Sequence, residues 1–373
     1  MYNWKIILPI LIIFSLSCSS KKIVNYEKEV IVESNYEVKK PKNIILLIGD
    51  GMGITQITSG LYSNNNQLNL ERFKHIGLHK NYSYDALITD SAAGATAFAC
   101  GVKTYNGAIG VDHDTVSVKT ILEEAEENGL STGVVATSTI THATPASFLA
   151  HDPYRKNYEA IAADFVDVDP EILIGGGQAY FERRESDNRN ISEELKNKGY
   201  KVSSFVSEDL GEIHLNPNDK LLYFTADKDP LPAMQGRDYL QEAAEFSMSH
   251  LRKQNDKGFF LMIEGSQIDW GGHSNNAEYI ISEMIEFDKV VGRALDFAQK
   301  DGNTLVIVTA DHETGGFAIQ KESKLNELVT AFTSDYHTAD MIPVFAFGPG
   351  SETFNGIYEN TEIYYKMKEA FGW

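Results

Sequence analysis

From residue 43 onward, short uninterrupted apolar runs alternate with stretches of helical period. The runs cover residues 44–48, 131–136, 172–174, 221–224, 259–263, 305–309 and 344–347. Near-continuous Ile, Val, Leu and Phe is the pattern of strands covered on both faces. Between them, residues 120–128, 158–166, 238–254 and 278–299 read as helices. This alternation predicts one α/β domain over 41–373, with a mostly parallel central sheet and helices on both faces. In such sheets ligands collect at the carboxyl ends of the strands. Candidate chemistry should therefore fall just after the apolar runs.

The first 40 residues read differently. Lys5 precedes an apolar run, residues 6–14, and Ser15-Leu16-Ser17-Cys18 follows. The run is too short to span a bilayer and reads as a secretory signal over 1–17. Small residues before a cysteine resemble a bacterial lipobox, in which Cys18 becomes the lipidated first residue. Leu16 stands two before Cys18, where that pattern puts its large aliphatic three before, so simple signal cleavage is the alternative. Residues 18–40, rich in Ser, Lys and Glu, read as a tether. The expected location is the periplasm or cell envelope, with membrane contact only through the lipid. If Cys18 is lipidated, Cys100 has no partner and the mature fold has no disulfide. Cys100 itself, in Ala97-Phe98-Ala99-Cys100, reads as a buried small hydrophobe.

Charge narrows the partners. The 33 Lys and Arg against 53 Asp and Glu leave a formal −20, which argues against nucleic acid or an anionic membrane surface. A small anionic substrate remains open, because bound cations reverse the field inside one pocket.

The chemistry-bearing residues do follow the runs. After 44–48 comes Gly49-Asp50-Gly51-Met52-Gly53, an Asp between glycines that a ligand can approach closely. After 259–263 comes Glu264-Gly265-Ser266-Gln267-Ile268-Asp269-Trp270-Gly271-Gly272-His273, read as a loop because of its glycines. Its carboxylates and imidazole suit zinc. After 305–309 comes Ala310-Asp311-His312, and His337 precedes the last apolar run. Ser91 opens the Ala-rich segment Ser91-Ala92-Ala93-Gly94-Ala95-Thr96-Ala97. It reads either as an N-cap or as a nucleophile where a helix start favours an anion. No His neighbours it in sequence, so activation by metal is the natural alternative to a His base.

Thr89-Asp90-Ser91-Ala92 with its Ala-rich continuation resembles the nucleophile segment of the alkaline phosphatase family. Asp50 among its glycines, Glu264 through His273, Asp311-His312 and His337 resemble that family's metal-binding segments, in the same order. So does Thr141-His142-Ala143-Thr144-Pro145, followed by Arg155. The resemblance implies an alkaline-phosphatase-like sandwich and hydrolysis of small phosphate monoesters at alkaline pH through a phosphoserine at Ser91, with Arg155 gripping the phosphate. It implies two zinc ions, held by Asp269, His273 and His337 and by Asp50, Asp311 and His312. A magnesium would be shared by Asp50, Thr144 and Glu264.

His142 and Trp270 stand where some family members carry Asp and Lys. Here His142 is expected near a magnesium-bound water or as a recruiter of zinc to the third site. Without a Lys at 270, phosphate is expected to be held less tightly. Residues 313–335 form a short crown-like insertion, and a homodimer is implied by analogy. His75, His79, His113, His151, His214 and His250 read as ordinary surface or core residues. The alternatives are a phosphodiesterase of the same superfamily, or an inactive, metal-stabilised surface binding protein.

Overall fold

The computed structural model describes residues 40–254 and 256–373. The expected leader, Cys18 and all but the last residue of the tether lie outside the described residues. In chain order the strands are β1 (Asn43–Gly49), β2 (His75–Lys80), β3 (Ser131–Thr139), β4 (Ile172–Gly176), β5 (Tyr200–Ser204), β6 (Lys220–Phe224), β7 (Phe259–Gly265) and β8 (Thr304–Thr309). Four two-residue strands follow: β9 (Glu313–Thr314), β10 (Ala318–Ile319), β11 (Thr330–Ala331) and β12 (His337–Thr338). The last two are β13 (Ile342–Phe347) and β14 (Gly356–Glu359).

Ten of these form one sheet in the order β14-β2-β13-β8-β1-β7-β3-β4-β6-β5. Only β13 runs against its neighbours, β8 and β2. The other pairings are parallel. All seven apolar runs lie in strands of this sheet, and β1, β3, β7 and β8 are buried throughout. The three strands that no run announced, β2, β5 and β14, stand at or beside the sheet edges. There one face meets solvent, so His75-Ile76-Gly77-Leu78-His79-Lys80 mixes polar and apolar residues.

Side chains of β1 alternate between two cores, as a strand requires. Ile44, Leu46 and Ile48 pack with the helices Ser91–Cys100, Ile121–Glu127, Ala143–Leu149 and Glu362–Phe371. Ile45 and Leu47 pack with Tyr239–Gln254 and Ala277–Asp301 on the other face. The helix starts are locally specified. Thr120 and Glu123 form a capping box for Ile121–Glu127, and Asn276 accepts from Tyr279 N at the start of Ala277–Asp301. Cys100 is a buried free thiol, pushed up by burial. No helix among the described residues is long and apolar enough to cross a membrane.

Candidate active site

Three adjacent central strands deliver the carboxylates. Asp50 follows β1, Asp311 and His312 follow β8, and Glu264 is the penultimate residue of β7. Gly51, at φ +72°, lets the chain turn beneath the site, where an added Cβ would lie 2.6 Å from Asp269 Cα.

The segment expected as a loop after β7 is instead the helix Gln267–His273. Its glycines serve packing. A Cβ on Gly271 would lie 2.8 Å from Ile280 N, and one on Gly272 would lie 2.8 Å from Thr314. The helix puts Asp269 and His273, four residues apart, on one side. The capping reading of Ser91 also fails. Asp90 caps the helix Ser91–Cys100 by accepting from Ala93 N at 3.0 Å. Ser91 is the first helical residue, and its Oγ lies 3.3 Å from His312 Nε2. Close approach of this helix requires Gly94, whose added Cβ would sit 2.9 Å from Asp311 Cβ.

The dispersed residues converge into three groups, each with ligand atoms within 4.8 Å of one another: Asp269, His273 and His337; Asp50, Asp311 and His312; Asp50, His142 and Glu264. Asp50 belongs to two of them. Thr144 Oγ1 is buried and has no hydrogen-bond partner, and the same holds for both Asp50 oxygens, Asp311 Oδ2, Glu264 Oε1 and His142 Nδ1. Buried polar atoms are ordinarily satisfied, so this set asks for cations.

The imidazoles ask for the same thing. His273 Nδ1 is 2.7 Å from Asp335 O, and His337 Nδ1 is 2.8 Å from Thr89 O. A carbonyl only accepts, so each Nδ1 carries a hydrogen and each ring turns its Nε2 inward. Those two Nε2 atoms are 3.1 Å apart. His312 Nε2 faces Asp311 Oδ2 at 3.2 Å and Asp50 Oδ1 at 3.6 Å. Imidazole nitrogens and carboxylates crowded this closely fit bound metal. Imidazole with carboxylate suits zinc, and the oxygens of Asp50, Thr144 and Glu264 suit magnesium.

Burial and mutual proximity shift the titration of these groups. Burial, then Asp311, Asp269 and Glu264, raises the Asp50 carboxyl well above its usual range. Burial pushes Glu264 up to about 8, with Asp311 adding to it. Burial and Asp269 push Asp311 up to about 7. Burial, His337 and His273 hold His312 well below its ordinary value.

Arg155 completes the site. Its Nη1 donates to Asp90 Oδ2 at 2.8 Å, and Nη2 lies 3.5 Å from His142 Nε2. Burial opposes its charge, but Asp90 and then Asp50 raise its pKa above the ordinary arginine value. Trp270 is half-buried, edge-on to His142 with ring centroids 6.0 Å apart.

Residues 41–331 match the alkaline phosphatase family. The chain is 34% identical to alkaline phosphatase 3 of Bacillus subtilis, over 96% of this chain and 95% of that protein. It superposes on the alkaline phosphatase of the Antarctic bacterium TAB5 with a TM-score of 0.85 and 47% identity, over 90% of this chain and 99% of that one. The chain belongs to the alkaline phosphatase family. It is a phosphatase, and its reaction is hydrolysis of phosphate monoesters. A His-to-Asp variant of the TAB5 enzyme, also similar here (TM-score 0.84, 46% identity, 90% and 99% coverage), has magnesium bound in its M3 site.

Among the described residues of this phosphatase, none of the six histidines read as ordinary joins a ligand group. His79, for example, is buried with Nε2 on Ala310 O at 2.8 Å. Sequence reasoning missed the residues that hold these candidate ligands in place. Thr314 Oγ1 donates to Asp269 Oδ1 and lies 3.2 Å from His312 Nδ1, so one hydroxyl joins two groups. Ser138 and Ser266 donate to Glu264 Oε2, and Glu313 is buried beside His312. Thr314 stands two residues beyond His312, a spacing that keeps extended residues on one side. That was the available signal.

Proposed function

We propose that this phosphatase transfers the phosphoryl group of a monoester to Ser91 Oγ and then to water, with zinc in the two histidine groups and magnesium, or zinc recruited by His142, in the group of Asp50, Thr144, Glu264 and His142. The observation that carries this reading is the position of Ser91. It is the first residue of a ten-residue helix, its Oγ is 3.3 Å from His312 Nε2, and the Asp90 beside it anchors Arg155. Bound cations there would supply Lewis-acid charge that favours ionised oxygen nucleophiles and stabilises the departing alcohol oxygen.

The rest is the work of this chain's own residues. The leading N–H groups of the helix Ser91–Cys100 have no intrahelical acceptor, and its dipole favours a phosphate at that end. Arg155 has five N–H donors in a planar fork. Asp90 takes one, which orients the plane and leaves the others for non-bridging phosphate oxygens. In the first step Ser91 Oγ gives up its proton and bonds to phosphorus, and the ester oxygen leaves and takes up a proton as the alcohol. In the second, a water oxygen bonds to phosphorus and Ser91 Oγ leaves with its proton restored. Two in-line displacements give net retention at phosphorus.

The test is hydrolysis of p-nitrophenyl phosphate against bis-p-nitrophenyl phosphate, with zinc and magnesium, for wild type and Ser91→Ala. Monoester turnover lost with EDTA and in Ser91→Ala supports the reading. Preference for the diester removes the role given to Arg155, and turnover retained by Ser91→Ala removes the nucleophile.

The apolar run at 6–14 and Ser15-Leu16-Ser17-Cys18 support export with a lipid on Cys18. Cys18→Ala should release the protein from membranes. The family resemblance supports a homodimer with a small crown built from residues 313–335, which light scattering would check.

A further inference from the structure

We propose that Glu313 is a positioning residue whose buried carboxylate sets the spacing between the His312 and His337 ligand groups; this rests on the two zinc groups proposed above. Glu313 is 3% exposed. Its oxygens accept four hydrogen bonds, two from the distant side chains of Gln56 and Thr338 and two from backbone N–H groups of its own loop. Oε1 takes Gln56 Nε2 at 2.7 Å and Phe317 N at 3.0 Å. Oε2 takes Thr338 Oγ1 at 2.6 Å and Gly316 N at 3.2 Å. All four donors are uncharged. Burying a carboxylate on neutral donors costs free energy that an apolar side chain would not, so its presence calls for a function.

What it ties together supplies one. Glu313 directly follows His312, and Thr338 directly follows His337. Gln56 lies on the helix Ile54–Ser63, just past Asp50. The strands that join the two histidine segments, β9 and β12, pair over two residues only, Thr338 with Glu313 and His337 with Thr314. Even a full hairpin of two strands is marginal in water. The Glu313 carboxylate crosslinks this short ladder, anchors it to the helix after Asp50, and pins the start of the 313–335 insertion through Gly316 and Phe317. The His312 and His337 rings consequently stack with centroids 3.5 Å apart, although they serve different groups. Ser91 borders the His312 group, so a shift between the two histidines misplaces the nucleophile relative to the other group. Misplacement by about 1 Å is enough to cost on the order of a hundredfold in rate.

The experiment uses the full-length protein loaded with zinc and magnesium, as wild type, Glu313→Gln and Thr338→Val. A glutamine at 313 turns a donor toward donors and cannot satisfy all four partners. Thr338→Val keeps the side-chain size, cuts one hydrogen bond, and carries the test if Glu313→Gln does not fold. Zinc content, the rate of zinc loss to a chelator, and kcat and KM on p-nitrophenyl phosphate at saturating zinc are measured. The expected result is zinc loss faster by about tenfold or more and a comparable fall in kcat, with KM nearly unchanged. Wild-type zinc loss and kcat in the folded variants, with or without a lower melting temperature, would overturn the role of Glu313. A wild type that holds fewer than two zinc ions would instead overturn the zinc groups, and this role with them.

Discussion

Stripped of its cations, the protein should become less stable as pH rises, and Glu264→Gln should remove much of that dependence. Glu264 is fully buried and accepts from Ser266 and Ser138, yet its carboxyl stands at about 8 because of burial and then Asp311. In the unfolded chain the same carboxyl ionises near the ordinary 4.5. Between those two values the folded state holds a proton that the unfolded state has released. Stability present below about pH 4.5 is therefore lost as pH rises toward 8. One such group gives a slope of about 1.4 kcal/mol per pH unit, so the loss between pH 5 and 8 is on the order of a few kcal/mol. Asp311, pushed up to about 7, adds in the same direction. The assay is urea unfolding of EDTA-treated wild type and Glu264→Gln at pH 5, 6, 7 and 8. The glutamine variant should start close to wild type at pH 5 and end more stable by roughly 2–4 kcal/mol at pH 8. In magnesium and zinc the order should reverse, because the carboxylate is then the ligand proposed above. Parallel stability curves for the two metal-free proteins would refute the argument that crowded, buried carboxylates store this energy.

Arg155→Lys should weaken inhibition by inorganic phosphate by about 2 kcal/mol, since an ammonium cannot reproduce a fork held by Asp90; an unchanged inhibition constant would contradict that geometry. Gly272→Ala should cost about 1–3 kcal/mol in thermal unfolding, because its Cβ would press on the Thr314 backbone oxygen at 2.8 Å. The zinc content of that variant should fall too, since His273 is the next residue. Trp270→Lys should tighten phosphate inhibition by placing an ammonium beside Arg155 and His142, and product inhibition measured at alkaline pH would show no change if the indole position is remote from phosphate.

The amino-acid sequence by itself determined the central strands and pointed to the candidate ligands that the fold gathers. Both are local properties. A strand buried on two faces must be apolar throughout, and candidate ligands at strand ends sit just after that apolar run, as Asp50, Asp311 and His312 do. Tertiary structure decided what depends on a distant neighbour. The edge strands β2, β5 and β14 have one side in solvent, so their patterns blur. The Gln267–His273 helix keeps its glycines because Ile280 and Thr314 press against it, and from the chain alone those glycines argue for a loop. Asp90 rather than Ser91 caps the helix Ser91–Cys100, a choice of one residue that depends on where the chain enters the helix. The pairing of Asp50 with two candidate ligand groups, the ring orientations set by Thr89 O and Asp335 O, and the Gln56 and Thr338 donors on Glu313 all come from segments far apart in sequence. Hydrogen-bond partners of that kind leave no periodicity to read, because the fold alone brings them together.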